Sequence, residues 1–159
     1  KNHHTSPGEP RIITAGAYPV FNTPIGRLAT IICNDVHFTD TARRLARAGA
    51  QLIAVPTLET SGIALEQVAQ SVMRAVENRV AVVKTDAAFS SAIIDPYGKI
   101  VELRNDSPQG GAFNLTADVS LGSGKTVYNW LNLDWVGWLN LAGMAFFTFC
   151  TKWLEKKVQ

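Results

Sequence analysis

Net charge, cysteine and complete ligand motifs are all scarce in this sequence, and each shortage removes a class of function. Fifteen Lys and Arg against thirteen Asp and Glu leave a net charge of +2 over 159 residues. No Lys/Arg run is long enough to track a phosphate backbone, so no nucleic-acid partner is expected. There are two cysteines, Cys33 after a strand-like run and Cys150 in an apolar segment. They form neither a disulfide framework nor a CxxC metal pair. Gly122-Ser123-Gly124-Lys125-Thr126 has the letters that end a phosphate-binding loop, but the full pattern needs Gly five residues before Gly124, and Val119 stands there. No amphipathic helix follows it. His3 and His4 are adjacent, whereas metal ligands on one element need alternate or i,i+4 spacing, and no cluster of Cys, Asp or Glu completes a set. The expectation is therefore no metal and no cofactor. Internal repeats and low-complexity stretches are absent too.

What is present is an alternation of short apolar runs and helical patterns, long enough for one domain with a core. Arg11–Ala15 and Tyr18–Phe21 read as extended, and Asn22-Thr23-Pro24-Ile25-Gly26 as a turn. Arg27–Ile32 is a near-continuous apolar run, expected to be a strand buried on both faces. Thr39-Asp40 offers an N-cap for a helix over Thr41–Ala48, ended by Gly49. Ala42, Leu45 and Ala46 form its apolar stripe, opposite Arg43, Arg44 and Arg47. Gln51–Pro56 is the next buried strand, and Thr57–Gly62 a loop. Ala64–Asn78 is a second helix, with Val68, Val72, Ala75 and Val76 at helical spacing. Arg79–Thr85 is a third strand. Ser91–Asp95 and Lys99–Leu103 form a hairpin around Asp95-Pro96-Tyr97-Gly98. Asn105–Gly111 is a loop and Ala112–Val119 a final strand. The fold class is α/β, with a mixed sheet. In such folds sites gather at the carboxyl ends of strands, where Cys33 and the Thr57–Gly62 loop both fall.

The tail differs in kind. Trp135–Thr151 holds no charged residue, at the short end of what spans a bilayer. Trp130, Trp135 and Trp138 cluster at one end and Trp153 at the other, an aromatic-belt pattern, and Lys152, Lys156 and Lys157 follow the segment. By the positive-inside rule the lysines would be cytoplasmic and the α/β body would lie across the membrane. The competing reading is an amphipathic helix docked on the body or on a partner. The domains expected are a body over 1–119, a linker over 120–134, a transmembrane helix over 135–151 and a basic cytoplasmic tail over 152–159.

Cys33 is the first candidate for chemistry. A thiol just past a buried strand, followed by Asn34-Asp35 and a helix, sits where backbone N–H groups can face a developing oxyanion. Free cysteine is more often a small buried hydrophobe, and its surroundings alone leave that reading open. Arg74, Glu77 and Asn78 on the second helix read as a solvated or salt-bridged face.

KNHHTSPGE at 1–9, IGRLATIICND at 25–35, ARAGAQLIAVP at 46–56, MRAVENRVAVV at 73–83 and SAIIDPYGKIV at 91–101 together resemble the carbon–nitrogen hydrolase (nitrilase) superfamily. The likeness covers about residues 1–119. Thr126-Val127-Tyr128 and the apolar 135–151 segment make it similar to the apolipoprotein N-acyltransferase branch, a bacterial inner-membrane group. The resemblance implies an αββα sandwich, of which this chain holds part, and a Glu–Lys–Cys triad. It implies Cys33 as nucleophile, Lys1 stabilising the tetrahedral intermediate, Glu9 as a supporting glutamate, and Asn34 supplying an oxyanion N–H beside Asp35. The base glutamate would precede Lys1, so the sequence, which begins without Met or a signal peptide, is expected to be the C-terminal part of a longer protein. The implied activity is acyl transfer through a cysteine thioester, from a phospholipid donor to a lipoprotein acceptor at the membrane. The branch carries Tyr-Glu after its cysteine where this chain has Asn34-Asp35, which leaves open a membrane-anchored amidase or nitrilase acting on a small amide. A third alternative is an inactive membrane-tethered binding domain.

Overall fold

The structure, a computed structural model, describes residues 17–59, 62–105, 113–131, 143–144 and 146–148. Six strands form one sheet in chain order: β1 (Phe21–Thr23), β2 (Gly26–Thr30), β3 (Leu52–Thr57), β4 (Ala81–Asp86), β5 (Ser90–Ile94) and β6 (Ile100–Asn105). β2, β3 and β4 run parallel; the β1–β2, β4–β5 and β5–β6 pairs are antiparallel. The mixed sheet expected from the sequence is therefore present.

The two parallel steps are crossed by helices. A 3-10 helix (Cys33–His37) and α1 (Thr39–Arg47) connect β2 to β3, and α2 (Ala64–Asn78) connects β3 to β4. The bounds of α2 are those that its apolar spacing predicts. Both helices share one sheet face, where Ala42, Leu45, Val68 and Ala75 meet Ala29, Ile53, Val55, Val82, Ala92 and Ile94. These residues lie two apart along each strand, so one face of the sheet supplies the core. On the other face Leu52 and Ala54 stay half-buried.

Several expectations need correction. β2 is not buried on both faces: Ala29 is its buried residue, while Arg27 and Thr30 are exposed. The apolar run hides a period of two, because Ala29 and Ile31 face the helices while Thr30 faces away. The buried face of α2 is rotated from the Val68, Val72, Ala75, Val76 stripe. Val76 is exposed, and Gln67, Ser71, Arg74 and Asn78 are buried instead. Arg74 pairs with Glu77 at 3.0 Å, so the salt-bridged reading holds for those two, while buried Asn78 donates to the Arg74 carbonyl at 2.9 Å. No strand forms over residues 113–119; the segment alternates between half-buried and exposed, without a ladder partner among the described residues.

The Gly122–Thr126 segment is a structural clip. The Gly122 N–H donates to the Gln51 carbonyl and the Gly124 N–H to that of Arg79, each at 3.0 Å. The Lys125 N–H donates to Ser123 Oγ at 3.3 Å. Amides spent this way cannot cradle a phosphate, which agrees with rejecting a nucleotide loop. Thr126 Oγ1 then donates to the Glu77 carbonyl at 2.7 Å, and Asn129 Nδ2 to Gly124 and Asn78 carbonyls at 3.1 and 3.4 Å. Thr126, the first residue of the Thr-Val-Tyr motif, thus ties the segment to the end of α2. A short helix, α3 (Val127–Trp130), follows.

Contacts divide the chain into units over 1–129 and 130–159. In the second, residues 143–144 and 146–148 are helical, and Met144, Phe146 and Phe147 are exposed. Among the described residues no helix is long and apolar enough to cross a membrane. Most of the 135–151 span and all of 152–159 lie outside the described residues, as do Arg11–Ala15, Cys150 and the 1–9 loop.

Candidate active site

Three parallel strands end side by side, and each contributes to one site. Beyond β2 the Ile31 N–H still donates to the Ala54 carbonyl at 3.0 Å, carrying the ladder to the edge of the sheet. The chain then turns sharply: Cys33 opens the 3-10 helix at φ +47°, a left-handed conformation that non-glycine residues rarely adopt. Arg79 at the end of α2 is the other such residue among those described, at φ +49°, and there it serves as a helix C-cap. At Cys33 it caps nothing. It lifts the thiol off the strand end, half-buried, at a cost of about 1–3 kcal/mol held by the surrounding structure.

Asn34 and Asp35 follow directly. Asp35 is fully buried, and its Oδ2 accepts from the Ile32 N–H at 3.1 Å. Its carboxylate closes the 3-10 turn from inside, holding the bend that presents Cys33. Asn34 is half-buried beside the thiol. The structure brings Cys33, Asn34 and Asp35 together. Lys1 and Glu9 lie outside the described residues.

A residue that the sequence analysis passed over meets the thiol. Cys33 Sγ donates to Glu59 Oε1 at 3.1 Å, and Glu59, two residues past β3, is only 6% exposed. The Glu59 N–H reaches Asp86 Oδ1 at 3.4 Å, where β4 ends opposite Thr57 of β3. Asp86 also accepts from the Ala88 and Phe89 N–H groups, at 2.9 and 3.3 Å. Lys84 Nζ, fully buried, donates to Asp86 Oδ2 at 3.2 Å and to the Ser90 carbonyl at 2.6 Å. Thus a buried ion pair on β4 anchors the loop that carries Glu59. The one signal in the sequence was an acidic residue in a strand-end loop, Leu58-Glu59-Thr60, which loops also show when solvated.

Burial pushes the Cys33 thiol above its ordinary pKa, and the Glu59 carboxylate adds to the rise by accepting the S–H and by its charge. The backbone amides of Leu58 and Asn34 pull the other way without reversing it. Around the described atoms alone, Cys33 rests as a thiol and needs a proton acceptor or a nearby cation before it attacks. Asp86 behaves oppositely. Burial would raise its pKa, but the Ala88 amide, the Lys84 ammonium and the Phe89 amide outweigh that and hold it below the ordinary carboxylate value. No group of three or more His, Cys, Asp or Glu suited to a metal occurs among the described residues. Beside the site a cavity of about 370 Å³ is lined by Lys84, Thr85, Asp86, Ser91, Phe113 and Leu115, among others.

The sequence profile of the carbon–nitrogen hydrolase family matches residues 2–128, nearly the whole α/β body. The apolipoprotein N-acyltransferase of Geobacter metallireducens is 31% identical over 128 residues, covering 78% of this chain and 24% of its own length. The nitrilase and fragile histidine triad fusion protein NitFhit of Caenorhabditis elegans is 34% identical over 96 residues, 52% of this chain and 21% of its own. The crystal structure of Saccharomyces cerevisiae Nit3, described as a member of branch 10 of the nitrilase superfamily, superposes with a TM-score of 0.50 at 27% identity, covering 65% of this chain and 43% of Nit3. The chain therefore spans about a quarter of the length of the two curated relatives.

Proposed function

Because this chain belongs to the carbon–nitrogen hydrolase family, whose members are enzymes, we propose that it carries the nucleophile of an acyl transfer that passes through a thioester on Cys33. The observation that carries the reading is the thiol itself: held at φ +47° past a parallel strand, half-buried, and hydrogen-bonded to a buried carboxylate. A structural cysteine needs none of these.

Attack of the sulfur on a carbonyl gives a tetrahedral oxyanion, which collapses to the thioester as the leaving group departs. The Asn34 N–H is the oxyanion donor in this reading. Lys1 supplies an ammonium that favours the thiolate and steadies the oxyanion, and Glu9 supports it. The resemblance gives the third member of the triad, a glutamate base, a place ahead of Lys1 in the family's order.

An acyltransferase acting at a membrane is favoured over a hydrolase. The Geobacter relative covers 78% of this chain, and Thr126-Val127-Tyr128 and the apolar 135–151 segment resemble the ending of that branch. The exposed Met144, Phe146 and Phe147 on helical backbone suit an anchor in lipid. In this reading a phospholipid is the acyl donor and the amine of a lipoprotein the acceptor. The body faces the outside of the bacterial cell membrane, and 152–159 lies in the cytoplasm. The amidase or nitrilase reading is favoured by one observation, Asn34-Asp35 after the nucleophile. An Asn offers a small polar wall where the acyltransferase branch has an aromatic one.

The test is to incubate the intact protein with phospholipid and search for an acyl group on the Cys33 peptide by mass spectrometry. An acyl-thioester is expected on the native protein and none on Cys33→Ala. Acylation of the protein that survives the substitution sinks the assignment. Release to an added amine rather than to water selects the transferase reading.

A further inference from the structure

We propose that the sheet edge where β2 and β3 begin holds the phosphate of an anionic phospholipid in a basic cavity. This rests on the membrane reading above and not on the chemistry of Cys33.

A cavity of about 340 Å³ lies at that edge, and Arg27, Arg47, Gln51, Ser123 and Lys125 are among its lining. None of the described residues that line it is acidic. Its three cations come from β2, the last turn of α1 and the clip, and the fold joins them for local reasons. Gly49 and Gly124 take φ +95° and +66°. A Cβ on Gly49 would strike the Arg27 guanidinium, and one on Gly124 would lie 3.0 Å from the Ala46 carbonyl oxygen. So Arg27 lies against the chain that leaves α1, and the clip carries Ser123 and Lys125 up to the end of that helix.

Both guanidinium groups are pinned. Arg27 Nη2 donates to the Ala48 carbonyl at 2.6 Å and Arg47 Nε to that of Asn129 at 2.7 Å. A guanidinium has five N–H donors, so one such bond fixes its plane without exhausting it. Capping α1 accounts for Arg27 but not for Lys125, because the clip hangs on the amides of Gly122 and Gly124 rather than on the exposed ammonium. A helix C-terminus carries about half a negative charge, and the three side chains carry three positive ones, so the cavity keeps a positive field.

The cations are exposed, which selects the ligand. An exposed ion pair strengthens binding by about fivefold at most, so three would hold a free phosphate only at about 10 mM and above. A lipid adds apolar contact. Exposed Ile25, Leu121 and Val127 each stand two positions from a lining residue, and a Cβ on Gly26 would run into Leu121. Along β2 the cavity is about 20 Å from Cys33, whereas a phospholipid's ester carbonyls are a few bonds from its phosphate. The lipid held here is therefore not the acyl donor at the thiol. It steadies the body with β2 lying along the bilayer.

The test is calorimetric titration of the intact protein in uncharged maltoside micelles with dihexanoyl phosphatidylglycerol, dihexanoyl phosphatidylcholine and inorganic phosphate, with dilution into empty micelles subtracted. Saturable binding of phosphatidylglycerol alone is expected. Lys125→Met should weaken it about fivefold, one cation's share, and Arg27→Met with Lys125→Met about twentyfold or more. Arg44→Met, exposed on α1 outside the cavity, should stay within about twofold. Phosphate or phosphatidylcholine binding as tightly overturns the assignment, as does an Arg44→Met loss equal to that of Lys125→Met. Thermal melts check folding, and if the double variant does not fold, Lys125→Glu carries the comparison. Failure of the membrane reading looks different: the intact protein then stays in water beside uncharged phosphatidylcholine vesicles. The Cys33 thioester test stands whichever way the titrations fall.

Discussion

Replacing Lys84 by Met tests the platform under the site. The two side chains are similar in length, so the change removes a charge with little change of volume. Lys84 and Asp86 are both fully buried, and Nζ makes bonds of 3.2 Å to Asp86 Oδ2 and 2.6 Å to the Ser90 carbonyl. Without the ammonium, Asp86 is a buried carboxylate with only backbone amides to compensate it, and Ser90 loses a donor. Breaking a buried pair from one side costs about 3–5 kcal/mol. With a urea slope of about 2 kcal/mol/M the unfolding midpoint falls by roughly 1.5–2.5 M. The double variant Lys84→Met, Asp86→Asn should cost less than the two single changes added, because the second removes the stranded charge. The acid limb reports on the same pair. A carboxyl whose folded pKa is depressed adds stability above its unfolded pKa, about 3.9, and loses it as pH falls through the lower folded value. Taking away Lys84 raises the folded pKa, so acid unfolding of Lys84→Met should begin at higher pH than in the native protein. A loss under about 1 kcal/mol, or single changes that simply add, would show that the pair does not hold the end of β4 as described.

Two further predictions concern the segment that the sequence invites one to read as a nucleotide loop. A Cβ on Gly122 would collide with the Arg79 carbonyl and the Val80 backbone, so Gly122→Ala should cost about 1–3 kcal/mol and lower Tm by roughly 3–10 °C in a thermal melt, with ATP giving no shift in the native protein. Asn129→Ala leaves the Gly124 and Asn78 carbonyls without their donor at a buried position and should cost about 1–3 kcal/mol by urea unfolding, with the slope unchanged.

The elements most legible in the sequence are those whose signal is local. α2 has its predicted bounds because good helix formers fill Ala64–Asn78 and an apolar stripe runs through them. The Asp95–Gly98 turn forms because Asp95 Oδ1 accepts from the Tyr97 and Lys99 N–H groups and Gly98 takes φ +85°. The strand expected over 112–119 had the right alternation, but its described part, 113–119, has no ladder partner among the described residues, and pairing is a property of the sheet rather than of the segment. The helix face was misjudged for a similar reason. Arg74 and Asn78 look like surface residues by composition, yet one pairs with Glu77 and the other donates to the Arg74 carbonyl at 2.9 Å, so both can be buried.

For the site, the sequence by itself determined the family, the placement of Cys33 at a strand end and the order of strands and helices, because motif spacing and hydrophobic period are written along the chain. Only the tertiary structure decided which carboxylate meets the thiol. Glu59 lies 26 positions from Cys33 and nothing in its neighbours marks it. It reaches the sulfur because β2 and β3 run parallel and side by side, so that two loops distant in sequence leave the sheet at the same edge. The buried Lys84–Asp86 pair was equally hidden, since a charge is affordable inside only when the fold brings its partner to it.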